Sequence, residues 1–213
     1  MIEEKSQEII TIELQRHKYN NKIILIGPSN VGKSSLIERI INDSFNLKIN
    51  PTIGHDFKPA KIDLKDHSSI NYIFIDVSGQ EQFFCSWIHF LDKADIIIFV
   101  NDKERLEVNT SKINGRVLLS DKKVICCINK KDLFSDGENG EALKNFKKIN
   151  SELKDKPIIL VSAKTSDDIE ELKNKIKEYS LNIIEIKKKA ENQNSENQNS
   201  ERLNGNNFKL KPD

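Results

Sequence analysis

Cysteine is scarce: Cys85, Cys126 and Cys127 are an odd number in 213 residues and show no CxxC spacing, so the sequence carries no disulfide framework and suits a reducing compartment. An excess of charge of either sign is lacking too. Lys and Arg number 34 against 33 Asp and Glu, a formal net charge of +1, which argues against nucleic acid or an acidic surface as the main partner. Long apolar runs are also missing. Stretches such as IIIFV, Ile96 to Val100, fall far short of the roughly 20 residues that a membrane-spanning helix needs. The opening MIEEKSQEII puts acidic residues where a secretory signal would carry positive charge. Together these absences predict a cytoplasmic protein.

What is present is a series of strand-length apolar runs separated by charged segments. KIILI (Lys22 to Ile26), YIFID (Tyr72 to Asp76), DIIIFV (Asp95 to Val100), KVICCIN (Lys123 to Asn129) and PIILVSA (Pro157 to Ala163) are rich in Ile and Val and contain no glycine. Such runs read as strands buried on both faces, the mark of a parallel sheet covered by helices. GKSSLIERIIND follows the first run at once and predicts a helix. In the last charged segment Ile169, Leu172, Ile176 and Tyr179 recur at helical steps, with Thr165 and Ser166 ahead of them as capping residues. A further helix is expected within Asp102 to Asp121, short or broken because Asn109, Asn114 and Gly115 interrupt the pattern. The result is an α/β doubly wound domain, one core in a chain of 37% hydrophobic residues, with room for a tail. From Ala190 the composition changes to ENQNSENQNS, a polar tandem repeat that cannot offset its ordering entropy by burial. The expected organisation is an N-terminal extension over 1–21, a folded domain over 22–189 and a disordered Asn-rich tail over 190–213.

One stretch carries chemistry on its own: GPSNVGKSS, that is Gly27, Pro28, Ser29, Asn30, Val31, Gly32, Lys33, Ser34 and Ser35. Gly27 lets the chain leave the strand through a tight turn, Gly32 lets backbone N–H groups approach phosphate oxygens, and Lys33 reaches the β and γ phosphates. The helix that follows offers free N–H groups and its dipole to an anion. Ser34 would place a hydroxyl on Mg²⁺. At average composition these fixed positions arise by accident in a chain of this length on the order of one per cent of the time, so a structural turn is the weaker explanation.

NKKD, Asn129 to Asp132, names the base. The Asp132 carboxylate can accept from guanine N1–H and from its exocyclic amine, whereas adenine offers a lone pair at N1 and no amine at C2. Lys130 can lay its methylene stem along the base, and Asn129 can tie this loop to the phosphate loop. Alone the motif could be a polar turn. Placed at a strand end after a phosphate cradle, it points to a guanine nucleotide.

With these motifs the chain resembles a small GTPase of the Ras superfamily over roughly Lys22 to Lys187. The resemblance implies a P-loop G domain with a mostly parallel six-stranded sheet, one strand antiparallel, and helices on both faces. It matches the phosphate loop to Gly27 to Ser34, the aromatic residue beside guanine to Phe45, and the switch I threonine to Thr52 in NPTIGHDF. DVSGQE matches DxxGQ, which implies Asp76 behind the metal through water, Gly79 at the γ-phosphate and Gln80 orienting the attacking water. SAK implies that Ser162 supports the guanine loop, the Ala163 amide meets guanine O6 and Lys164 packs nearby. Mg²⁺ would be held by Ser34, Thr52 and, through water, Asp76, with GTP or GDP as the bound nucleotide. None of Arg39, Arg105, Arg116 and Arg202 can be assigned as an intrinsic arginine finger. An exchange factor, a GTPase-activating protein and effectors are implied as partners.

TIGHDF with Ser29 and Asn30 is similar to Rab proteins, and PTIG with DVSGQ to Arf proteins as well. Two departures from the Rab pattern stand out: Ile75 where Rab proteins have tryptophan, and a chain that ends FKLKPD without prenylatable cysteines. Ile2 excludes N-myristoylation, no lipid-anchor motif is visible, and membrane contact is expected to be peripheral at most, through partners. Two functional readings follow: a switch in signalling or vesicle trafficking that hydrolyses GTP to GDP and phosphate, and a guanine-nucleotide-binding scaffold with negligible hydrolysis. Retention of Thr52 and Gln80 favours the switch. Cys126 and Cys127 read as core thiols and Cys85 as an exposed one, while His55 and His89 lack metal-ligand spacing. Trp87 and Phe90 could pack beneath switch II or meet effectors, and Lys187 to Lys189 could be a solvated helix end or a lipid-facing patch.

Overall fold

Runs of Ile, Val and Phe that stay apolar at consecutive positions must be covered on both sides, and a sheet between two helical layers does this. The computed structural model describes residues 21–47, 50–63, 69–110, 113, 119 and 122–206. Its strands are β1 (Asn21–Ile26), β2 (His55–Asp63), β3 (Ser69–Val77), β4 (Ile96–Asn101), β5 (Lys123–Ile128) and β6 (Ile158–Leu160). They form one sheet in the order β2-β3-β1-β4-β5-β6. β2 runs antiparallel to β3, and every other pairing is parallel. This is the α/β architecture expected from the sequence.

Five helices are described: α1 (Lys33–Asn42), α2 (Phe84–Trp87), α3 (Phe90–Lys93), α4 (Glu138–Ile149) and α5 (Ile169–Asn206). Alternate residues of the central strands feed two separate cores. Ile23, Leu25, Ile96 and Ile98 pack with Leu36 and Ile37 of α1 and Leu172 and Ile176 of α5. Ile24, Ile97 and Phe99 pack on the other face with Trp87, Leu91 and Phe146. Fully burying each such side chain contributes about 1.5–3 kcal/mol, which is why the central strands tolerate no polar alternation. Cys126 and Cys127 are core thiols, as expected, and burial pushes Cys126 up to about 12 and raises Cys127 as well. Trp87 is buried, edge-on to Phe84, while Phe90 meets His55 and Phe57 in a half-buried ring cluster. Lys187 pairs with Asp95 at 2.7 Å and Lys189 with Glu185 at 2.7 Å, so both are ion-paired on the helix surface.

Three details differ from the sequence reading. Residues 102–110 form a tight bridge and an extended segment where a helix was expected to begin. Asparagine side chains there take the backbone groups that a helix would pair: Asn101 donates to the carbonyls of Arg105 and Glu107, and Asn150 bonds Val108 N and Leu106 O. The rest of that expected helix lies outside the described residues, Ile113 and Leu119 apart. Thr165 and Ser166 do not cap α5 directly. They stand in the preceding turn, where Thr165 Oγ1 donates to Asp167 and Ser166 adopts a left-handed φ of 71°.

The third difference is α5 itself, whose backbone stays helical to Asn206 where composition predicted disorder from 190. No proline or glycine interrupts it before Gly205, its Lys, Glu and Gln residues are good helix formers, and extending an existing helix needs no new nucleation. Residues 207–213 and 1–20, with the expected extension, lie outside the described residues. The last core residue of α5 is Ile183. Truncation after Lys189 is therefore expected to shift the melting temperature by no more than about 2 °C, the scale of a surface change. Thermal melts of the two chains check it, and a large drop would place part of 190–213 against the core.

Candidate functional site

The C-terminal ends of the parallel strands meet in a cleft of about 480 Å³. Five loops and the start of α1 build it. Ser29, Asn30, Gly32, Lys33, Ser34 and Ser35 line one wall, Phe45 and Thr52 a second, Gly79 and Gln80 a third, and Asn129, Lys130, Asp132 and Lys164 the far end. Gly27, Pro28, Val31, Asp76, Ser162 and Ala163 stand behind these walls rather than in them.

The phosphate-loop end is built on two glycines. Gly32 has a φ of 92°, and a Cβ there would fall 2.4 Å from Asn129 Nδ2, so both its conformation and its neighbour demand glycine. Gly79 has an ordinary φ, but a Cβ would sit 2.3 Å from Ser29 N and 2.4 Å from the Pro28 carbonyl carbon. The DxxG segment thus rests directly on the phosphate loop. Lys33 Nζ donates to the carbonyls of Gly27 and Pro28, each at 2.9 Å. Burial pulls its pKa down to about 8, Asp76 opposes the shift and Arg105 adds to it.

Three hydroxyl and carboxylate groups far apart in sequence converge beside Lys33. Ser34 Oγ donates to Asp76 Oδ2 at 2.6 Å, Thr52 Oγ1 donates to the same oxygen at 3.2 Å, and the two hydroxyls are 3.1 Å apart. Burial raises the Asp76 carboxyl pKa against the opposing pull of Ser34, Lys33, Lys58 and Thr52. Its other oxygen, Oδ1, is buried without a hydrogen-bond partner. An all-oxygen donor set with an unsatisfied carboxylate oxygen fits a hard divalent cation such as Mg²⁺, which keeps waters and phosphate oxygens in its shell. Among the described residues no group of three or more His, Cys, Asp or Glu could hold a metal. Gln80 is exposed at the cleft, its Oε1 accepting from Gln82 Nε2 at 3.0 Å.

At the far end, Ser162 Oγ donates to Asp132 Oδ1 at 2.6 Å, and Lys164 Nζ stands 3.7 Å from Oδ2. Asn129 Nδ2 donates to Val31 O at 2.8 Å, so the expected tie between this loop and the phosphate loop is in place. Lys130 adopts a left-handed φ of 63°, and its Nζ pairs with Asp102 Oδ2 at 2.8 Å. The Ala163 N–H, matched to guanine O6, is donated to Asn129 Oδ1 at 3.1 Å, so meeting a base would require sharing that proton.

Two arginines to which the sequence assigns no role enter the site's support. Arg39 donates from Nε to Ala163 O at 2.8 Å and from Nη2 to Lys164 O at 3.2 Å, holding the SAK loop against α1. Arg105 reaches the phosphate loop, where Nη1 donates to the Ser29 carbonyl, while Nη2 pairs with Asp102. No periodicity marks either residue, since each acts on a segment remote in sequence.

Residues 22–132 match the model of the family described as Roc, the Ras of Complex domain of DAPkinase. The chain is similar to Ras-related protein RABG3c of Arabidopsis thaliana, 36% identical over 81 residues, 38% of this chain and 39% of that protein. It is similar to the Ypt/Rab-type GTPase Rab7 of Neurospora crassa, 35% identical over 97 residues, 46% of this chain and 44% of the relative. For the Ypt/Rab-type GTPase YPT7 of Saccharomyces cerevisiae the figures are 33% over 87 residues, 41% and 42%. The chain thus spans about two fifths of the length of the curated relatives it matches. No helix among the described residues is long and apolar enough to cross a membrane.

Proposed function

We propose that this chain, which belongs to the Roc family of the Ras superfamily of small GTPases and stands near its Rab branch, is a molecular switch that binds GTP and GDP with Mg²⁺ and hydrolyses GTP to GDP and phosphate. The observation that carries the reading is the convergence, on one cleft, of Lys33, Ser34 and Thr52 at one end and Asp132 at the other. Asp132 accepts from N1–H and the C2 amine of guanine, with Ser162 holding its other oxygen. Lys33 exchanges the carbonyls of Gly27 and Pro28 for phosphate oxygens, and its partial burial makes an anion the better partner. Ser34, Thr52 and, through water, Asp76 would hold Mg²⁺, which supplies charge neutralisation for phosphoryl transfer. Gln80 orients the attacking water, and Phe45 flanks the base.

Loss of the γ-phosphate removes contacts to Thr52 and Gly79, which releases the two segments that read the nucleotide state. An exchange factor, an activating protein and effectors are the partners such a switch needs. The setting proposed for it is vesicle trafficking or signalling from the cytoplasm, with membranes reached through partners. The Gln80→Leu variant tests hydrolysis apart from binding. It should bind GTP like the parent and release phosphate about 10-fold more slowly in a single turnover, the worth of one positioned hydrogen bond. A parent that binds GTP yet never exceeds background, even with cell extract as a source of activating protein, would support the scaffold instead.

A further inference from the structure

β4 ends at Asn101 and the chain turns back at once, closed by a bridge between Asp102 and Arg105. The Arg105 guanidinium forks onto the Asp102 carboxylate, Nε to Oδ1 at 3.3 Å and Nη2 to Oδ2 at 2.7 Å. The Asp102 side chain is 3% exposed, and Lys130 supplies its second cation. Asn101 fixes the same turn by donating to the carbonyls of Arg105 and Glu107. The guanidinium is thereby aimed, and its remaining edge donates from Nη1 to the carbonyl of Ser29.

That carbonyl belongs to the peptide whose N–H is Asn30's. The described chain has no cis peptide, and in a trans peptide the C=O and N–H point to opposite sides. Holding Ser29 O toward Arg105 therefore turns the Asn30 N–H the other way. Asn30 pays for this orientation with a left-handed φ of 64°. Flipping the peptide by half a turn would return Asn30 to a negative φ, so the local backbone alone favours the flipped form. The observed form, with left-handed Asn30 followed by left-handed Gly32, is the kind that directs successive N–H groups into an anion-binding nest.

We propose that Arg105, aimed by Asp102, is a positioning residue for phosphate binding: it selects the orientation of the Ser29–Asn30 peptide in which the Asn30 N–H faces the phosphate chain. The role deepens the nucleotide reading above and rests on it. Arg105 itself does not line the cleft. Its effect passes through the loop, so it should be felt by ligands with a diphosphate and not by those with only a base.

The test compares GDP, guanosine and inorganic pyrophosphate on the full chain and on Arg105→Ala and Arg105→Lys, by titration calorimetry. Arg105→Ala should weaken GDP and pyrophosphate by about 10-fold or more, the worth of a charge-assisted hydrogen bond, and leave guanosine within about two-fold. Arg105→Lys should recover part of the loss, because an ammonium can reach the carbonyl but cannot fork onto Asp102 as well. The Asn30 amide should exchange faster with solvent in Arg105→Ala bound to GDP. Equal losses for GDP and guanosine would overturn the proposal in favour of general damage to the site. Unchanged GDP affinity with slower hydrolysis at saturating GTP would overturn it in favour of direct catalytic contact. A parent that binds pyrophosphate in an Arg105-dependent way but not GDP would sustain the positioning role and sink the guanine assignment. Binding of neither would sink both.

Discussion

Asp132→Asn is expected to lower GTP affinity by about two to four orders of magnitude and to raise affinity for XTP. Each charge-assisted bond from guanine to the carboxylate is worth about 1.5–3 kcal/mol, and the substitution removes both. The local geometry says which atom changes. Ser162 Oγ already donates to Oδ1 at 2.6 Å, so an asparagine would keep its carbonyl oxygen there and present its amide NH₂ at the Oδ2 position. That amide would face two guanine donors. Xanthine carries a carbonyl at C2, which accepts from it. Competition titrations of the parent and variant with GTP, XTP and ATP check the exchange, and a parent that binds ATP as well as GTP would refute the base assignment.

The Ser162 contact also shows how far sequence carries. Motifs whose chemistry lies within one loop were legible, because spacing along a strand-to-helix turn dictates both the backbone and the groups it presents. The phosphate loop, NKKD and SAK fall in this class, and the five parallel strands that align them followed from uninterrupted Ile and Val runs, whereas the antiparallel β2, HDFKPAKID, carries no such run and was expected only from the family resemblance. Supports between remote segments were not legible. Arg39 meets Ala163 across 124 positions, and Arg105 meets Ser29 across 76. A long cationic side chain on a polar face looks the same whether it ends in water or on a carbonyl, so composition and periodicity cannot separate the two.

Local competition explains the other differences. Over 102–110, Asn101 and Asn150 offer the backbone side-chain partners, and a short polar segment accepts them in place of a helical turn. Over 190–206 the opposite holds: burial arguments predicted disorder, yet the segment follows a nucleated helix and contains no breaker before Gly205. Burial decides whether such a segment can fold alone. Its neighbour decides whether it must.

Ser34→Asn should uncouple nucleotide retention from Mg²⁺. In the parent, Ser34 Oγ, Thr52 Oγ1 and Asp76 Oδ2 crowd within 2.6–3.2 Å of one another, and Asp76 Oδ1 is buried without a partner. A divalent cation bound through these groups would relieve both features, since it takes the hydroxyl oxygens as ligands and gives the carboxylate a partner through its water. The asparagine removes the hydroxyl and is too large for the space beside Thr52 and Asp76. Losing a ligand position should weaken cation affinity by about 100-fold, at the upper end of what lost support around a metal costs. A cation held here would neutralise the charge of a triphosphate more than that of a diphosphate, so the loss should fall mainly on GTP. Dissociation of a fluorescent GTP analogue at millimolar Mg²⁺, and again after chelation, reads this directly. The parent should release nucleotide much faster once Mg²⁺ is chelated, whereas the variant should release it fast in both conditions and retain GDP better than GTP. A variant that holds the GTP analogue as tightly as the parent at millimolar Mg²⁺ would show that the metal does not sit at Ser34, and the orphaned Asp76 oxygen would then need another partner.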